Sequence, residues 1–302
     1  MSGSWIIVAS SDVRAESAQH SCLPDCVSVL NLAGVKAVDD IRGFADLISD
    51  RVKAAEDGKE KVDILNRFFF DGLRFRVEDG LDSAEGLLPA DVLSGRRGTC
   101  VGLTGVYLAL GGFLDLPVAA VSAPNHMFVR FDDGHDVLNV ELLQDGKILD
   151  DDWYVHNYKI PVSSVSSGVF LRSLAETEFL GYVYASLGAL YSKSGDFSNS
   201  QVLYEAALRS TSRLPIAYYN LGNDLVAQAR YSQAIDAFDE ALDLYPTDIF
   251  AFNNRGIALC RLGKTRRARK DFLAALELDP SFTQARANLS NLRCNSRKDS
   301  KP

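Results

Sequence analysis

Residues 215–248 read PIAYYNLGNDLVAQARYSQAIDAFDEALDLYPTD, and the same pattern stands on either side of them. Gly188, Gly222 and Gly256 recur at a spacing of 34 residues. Tyr184, Tyr218 and Phe252 keep that offset, as do Tyr204, Phe238 and Phe272, and Ala207, Ala241 and Ala275. Each slot has a packing reason. A glycine lets the two helices of a hairpin approach closely, an aromatic ring fills the groove, and an alanine permits tight contact. Pro246 and Pro280 close the second and third units because proline cannot continue a helix, whereas Ser212 stands there in the first. Three helical hairpins are therefore expected at 181–214, 215–248 and 249–282. Residues 283–293 are expected as a solvating cap helix: Ala285 and Leu289 keep the register, but Ser290 replaces the glycine. Three units and a cap form about the smallest stable stack of this kind. Residues 294–302 read as a tail.

These slots resemble the tetratricopeptide repeat, which implies an all-α solenoid whose concave face is lined by the first helix of each unit. On that resemblance Tyr219, Asn223, Asn253 and Ile257 are the candidate peptide-binding residues. The fifth position of the units holds Ala185, Tyr219 and Asn253 rather than lysine. A basic clamp for a terminal carboxylate is therefore not evident. The expected partner is a protein or peptide on the concave face, extended or helical, or another copy of the chain.

Upstream, the hydrophobic period changes along the chain. Residues 1–27 are polar and irregular and read as a loose segment, and 28–175 as one α+β domain. Helical patterns at 38–55 and 62–72 are separated by Glu56-Asp57-Gly58-Lys59. A helix opens at Cys100 and runs to about Phe113. Period two then takes over, with a buried strand at 118–121 and alternation through Met127, Val129 and Phe131. Asp133-Gly134 suits the centre of a two-residue hairpin turn, with 137–143 returning. The apolar run from Cys100 to Phe131 is divided by Asp115 and Pro117, so it reads as a buried helix and strand rather than a membrane span.

At 302 residues the chain suits two domains, and a net charge of −8 argues against a broad nucleic-acid or anionic-membrane footprint. Cysteines at 22, 26, 100, 260 and 294 are odd in number and scattered, which is no disulfide framework. Cys22 and Cys26 with His20 lack a second ligand pair, so no metal site is expected there. The start has a short apolar run and no basic region before it, so a cytoplasmic location is expected, although a start codon placed too late would hide a signal peptide.

Arg96-Arg97-Gly98-Thr99-Cys100 stands at a helix start, where the helix dipole and two arginines favour a thiolate. Pro124-Asn125-His126 opens a strand, and Glu141 lies on the returning one. With a turn at Asp133-Gly134, His126 is expected directly opposite Glu141, and Asn139, the alternative orienter, opposite Phe128. A nucleophile, a base and an acidic orienter suit acyl chemistry. These residues resemble the transglutaminase-like superfamily, and specifically its compact bacterial branch, most strongly over 96–131. The resemblance implies a papain-like α+β fold and a triad of Cys100, His126 and Glu141. Glutamate stands at the family's aspartate position, followed by Leu142 rather than proline, and Asn125 replaces its glycine. The expected activity is thiol-dependent amide hydrolysis or acyl transfer on a peptide-like substrate, with no metal and no organic cofactor, and with the repeats recruiting a partner. The alternative is a non-catalytic scaffold that keeps the fold. His135 and His156 are expected at the surface or in packing, Cys260 and Cys294 as structural. Asp150-Asp151-Asp152, Glu176 and Glu178 are expected as solvated charges.

Overall fold

The computed structural model describes residues 27–78 and 86–295. Most of the expected loose segment, residues 1–26 with Cys22, Cys26 and His20, lies outside the described residues. Helix α1 (Val27–Ala54) starts well before the expected position 38. Its buried stripe of Ala37, Ile41, Ala45, Ile48 and Val52 recurs every three or four residues, which turns one face toward the core. Helix α2 (Gly58–Asn66) is capped by the Asp57 carboxylate, which accepts from the Glu60 amide. It continues as a π-helical turn (Arg67–Gly72) closed by Leu73 N–H to the Phe68 carbonyl. That turn buries Phe69 against Phe75 and Tyr107, with Phe70 edge-on to Phe69.

Strands β1 (Arg76–Val77) and β2 (Arg97–Gly98) form a short parallel pair around α3 (Pro89–Gly95), and β2 delivers the chain to α4 (Cys100–Phe113). Helix α4 is buried almost all round and fills the centre of the domain. Against it lies an antiparallel sheet in the order β3 (Val118–Ala123), β4 (His126–Asp132), β5 (Val137–Glu141), β6 (Lys147–Leu149). Helices α5 (Asp151–Tyr158) and α6 (Val162–Ser166) follow. The domain is α+β.

The hairpin register differs from the expected one. Asp132 pairs with Val137 rather than His135, so four residues, not two, turn the chain. The Asp133 carboxylate accepts from the His135 and Asp136 amides, and this local closure displaces the two-residue turn. Asp136 in turn accepts from the Gly58 amide at the start of α2. A tight two-residue turn does occur, one hairpin earlier: Ala123 pairs with His126 around Pro124-Asn125.

The array comprises α7 (Glu176–Lys193), α8 (Phe197–Ser210), α9 (Pro215–Ala227), α10 (Tyr231–Leu244), α11 (Ile249–Arg261), α12 (Thr265–Leu278) and α13 (Thr283–Asn295). A Cβ at Gly188, Gly222 or Gly256 would stand 2.6 Å from the ring of Tyr204, Phe238 or Phe272 respectively. Gly222→Ala is expected to destabilise the array by roughly 1–2 kcal/mol in urea unfolding, the gain in helix propensity offsetting only part of the overpacking. An unchanged midpoint would show that the ring simply yields.

The array meets the first domain along α7 and again at the end of unit two. Phe179 and Val183 of α7 are buried in the same core as α1 and α4. Farther along, the Ser164 hydroxyl donates to the Leu244 carbonyl at 2.9 Å, and the Phe170 and Tyr245 rings meet edge to face. Some charges expected to be solvated have fixed partners. Asp150 caps α5, and Asp151 accepts from Arg130 and Asn139. Glu178 pairs with Arg172 and accepts from the Ala175 amide.

Candidate active site

Thr99 sets Cys100 in place. Its hydroxyl accepts from the Gly102 amide and caps α4, so Cys100 becomes the first helical residue. Gly102 is required there, because a Cβ would fall 2.1 Å from the Gly86 carbonyl oxygen. The two arginines expected beside the thiol serve elsewhere. Arg96, in the left-handed region at φ 56°, lies over the Phe44 and Phe75 rings, and Arg97 is exposed.

His126 is presented by the Pro124-Asn125 turn. Proline fixes the first central residue at negative φ, and Asn125 takes the second at φ 53°. Asparagine tolerates that left-handed conformation better than most side chains, so the turn forms here without a glycine.

His126 Nε2 lies 2.7 Å from Glu141 Oε2, with both side chains buried. Continuing the observed register sets Glu141 across from Phe128, so it meets His126 along a diagonal rather than head-on. The extra methylene of glutamate suits that longer reach. Glu141 is itself held: Oε1 accepts from the Leu143 amide and Oε2 from the Tyr154 hydroxyl. Asn139, the other candidate orienter, is committed to Arg130 and Asp151. It lies opposite Arg130, not Phe128.

Glu141 takes Nε2, which leaves the second ring nitrogen of His126 free of it, and Cys100 is close enough to act on the imidazole. Burial pushes the His126 pKa down. The bonds to Cys100 and Glu141 and the negative charge they carry outweigh it, and the ring is raised to about 9. Tyr158 stacks on the imidazole at 5.2 Å between centroids, the planes 6° apart, which holds the ring in orientation. Burial, with the Glu141 and Cys100 charges adding to it, pushes the Tyr158 phenol up to about 12. Tyr154 and Tyr158 escaped notice in the sequence; their signal was an i, i+4 aromatic pair just after the sheet. His135 and His156 are exposed.

Cys100 and His126 open into a cavity of about 240 Å³. Its near wall is the hairpin Ala123–Met127 with Thr99 and Val101. The opposite wall comes from the array, through Ser186, Ala189, Ile216 and Asn220 on the first helices of units one and two, and Tyr245 and Asp248 after unit two's second helix.

Of the four candidate peptide-binding residues, Tyr219 and Asn223 share α9 with Ile216 and Asn220 but do not line the cavity, and Asn253 and Ile257 lie on α11. Asn254 donates to Tyr219 and Asn223, while Asn253 is buried, donates to Asn254 and accepts from Asn288 of the cap helix. Ile257 is half-buried against the core of units two and three. Among the described residues no group of three or more His, Cys, Asp or Glu could hold a metal ion. No helix among them is long and apolar enough to cross a membrane.

Residues 36–159 match the family model of the transglutaminase-like superfamily, and residues 215–248 and 249–282 each match a tetratricopeptide-repeat model. This chain joins a transglutaminase-like domain to tetratricopeptide repeats. Solved repeat domains resemble its helical part. The first repeat domain of Spaghetti (RPAP3), bound to an HSP90 peptide, is 22% identical and covers 39% of this chain and 94% of its own, with a TM-score of 0.38. The second repeat domain of human RPAP3, in complex with an HSP70 peptide, is 23% identical over 39% of this chain and 98% of its own, with a TM-score of 0.38. The repeat domain of Arabidopsis OM64 is 21% identical over 39% of this chain and 98% of its own, with a TM-score of 0.39. In the transglutaminase-like domain, Cys100 and His126 fall within the matched residues together with Glu141, Tyr154 and Tyr158.

Proposed function

We propose that this protein is a thiol-dependent amide hydrolase or acyltransferase acting on a peptide-like substrate, with Cys100 as nucleophile, His126 as acid and base, and Glu141 as orienter. The observation that supports it is an imidazole 2.7 Å from a buried carboxylate and beside the Cys100 thiol, at the mouth of a cavity. Cys100 sulfur attacks the amide carbon, forming a C–S bond. The first-turn amides of Cys100 and Val101, which a helix leaves unpaired, face the developing oxyanion. Protonated His126 gives its proton to the departing amine as the C–N bond breaks. Water, or an acceptor amine, then loses a proton to His126 and attacks the thioester, and the thiolate leaves. Glu141, fixed by Leu143 and Tyr154, stabilises the imidazolium throughout. The repeats supply a protein- or peptide-binding surface.

Limited iodoacetamide labelling with peptide mapping tests this. Cys100 is expected to react before Cys260, whose thiol pKa is raised by burial. Cys100→Ala should abolish both the first modification and any amine release from peptide amides. A Cys100 that stays unmodified while Cys260 reacts would leave the scaffold reading in place.

A further inference from the structure

Resting on that reading, we infer that the inner face of the first two repeats is the substrate-selecting wall of the catalytic cavity. Asp248 makes it a site for neutral or cationic acyl donors and against anionic ones. The array then does more than recruit: it shapes the pocket in which the acyl group sits.

Three observations support this. First, the wall facing Cys100 and His126 is built from units one and two, and the array is held there by two separate contacts, the α7 core and the pairing of Phe170 with Tyr245. Second, the cavity lining is dominated by apolar side chains, and among the lining residues none is lysine or arginine. Asp248 is the carboxylate that the array contributes to it. Burial pushes the Asp248 carboxyl up against the pull of the Ala251 and Phe250 amides; once ionised, its charge is weakly screened in such surroundings, so it discriminates between substrates by sign.

Third, the residue before each unit's first helix differs from unit to unit, and before α11 it is Asp248, at the edge of the cavity. The equivalent positions one unit earlier and one unit later hold Leu214 and Phe282, both buried. Of these three positions, the one that lines the cavity is the one that holds a carboxylate. Its structural duty is real, because Oδ1 accepts from the Phe250 and Ala251 amides at the start of α11. That duty is satisfied equally by asparagine, a helix cap of similar strength, so charge and capping can be separated. Oδ2 takes no hydrogen bond from the described residues. Asn220 faces the same cavity and offers a neutral amide to a substrate's backbone or side chain.

Two near-isosteric reagents, iodoacetate and iodoacetamide, read the sign preference directly. Both form the same C–S bond at Cys100 and release iodide, and they differ in charge. The rate ratio at pH 8, normalised to a free thiol, is measured by peptide mapping of the full chain. In Asp248→Asn the iodoacetate-to-iodoacetamide ratio should rise about fivefold at low salt, and the rate with cationic 2-bromoethylamine should fall. Asn220→Asp, also isosteric, should lower the iodoacetate ratio. Melting temperatures close to wild type confirm that the cap survives. Ratios unchanged in both variants, with Cys100 still reactive, would overturn the selecting wall and leave the catalytic reading intact. A wild-type Cys100 inert to all three reagents would overturn the catalytic reading and the selecting wall with it.

Discussion

The unfolding free energy should fall by roughly 3 kcal/mol between pH 6.5 and pH 9.5, and His126→Asn should abolish that slope. The cause is the imidazole held between Glu141 and Cys100, with its pKa raised to about 9. In the unfolded chain the same group titrates near 6.5. Between these values the folded protein binds a proton that the unfolded chain does not, so stability declines as pH rises. His126 contributes fully below about pH 6.5 and loses its contribution through about pH 9. Glu141→Gln keeps the shape, removes the charge, and should narrow this window from its upper end while slowing alkylation of Cys100. Asn139→Ala should leave both unchanged, because Asn139 is bonded to Arg130 and Asp151. Urea melts at half-unit pH intervals give the measurement. A flat wild-type profile across this range would mean the imidazole is neutral in the folded protein.

The site was legible in the sequence to different depths. Cys100, His126 and Glu141 follow from a helix start, a strand start and a returning strand, since period and turn chemistry are local signals. The exact pairing was not legible. Asp133-Gly134 has the composition of a two-residue turn, but the Asp133 carboxylate closes a four-residue one. A two-residue error in register keeps every side chain on its proper face, which is why the histidine and the glutamate still meet. Asn125 shows the reverse: a departure from the family's glycine that the backbone tolerates at φ 53°.

What lay beyond reach was tertiary. A 34-residue period places glycine against an aromatic ring, yet it says nothing about what the outermost helix touches. Units of a solenoid mainly contact their neighbours, a rule that taken alone makes the array a separate folding unit. The first unit's neighbour on one side is the transglutaminase-like domain. Tyr182 and Leu187 of α7 pack against that domain's core, and Ala185 and Ser186, a turn away, face the array and the cavity. One helix therefore serves both bodies. The first helices of units one and two line the same cavity as Cys100 and His126, so a partner that reached them there would meet those side chains.

Phe179→Ala should accordingly destabilise the transglutaminase-like domain and not merely the array. Phe179 is 2% exposed and lies in the shared core with residues of α1 and α4. Truncating a buried phenylalanine costs roughly 3–5 kcal/mol through lost transfer energy and the cavity left behind. For a domain of this size that is a large share of total stability. Leu259→Ala makes the comparison: Leu259 is 1% exposed in the core of units two and three, away from the first domain. Its loss should lower the helical transition while leaving the environment of Trp153, beside Tyr154 and Tyr158, at its wild-type midpoint. Phe179→Ala should lower both. By the same logic a fragment ending at residue 175 lacks Phe179 and Val183 and should bind a hydrophobic dye without a cooperative melt. A fragment beginning at 176 should be helical but should self-associate through the face of α7 left uncovered. The idea of one helix with two cores fails if the fragment ending at 175 melts cooperatively near the full-length midpoint and Phe179→Ala leaves the Trp153 transition where it was.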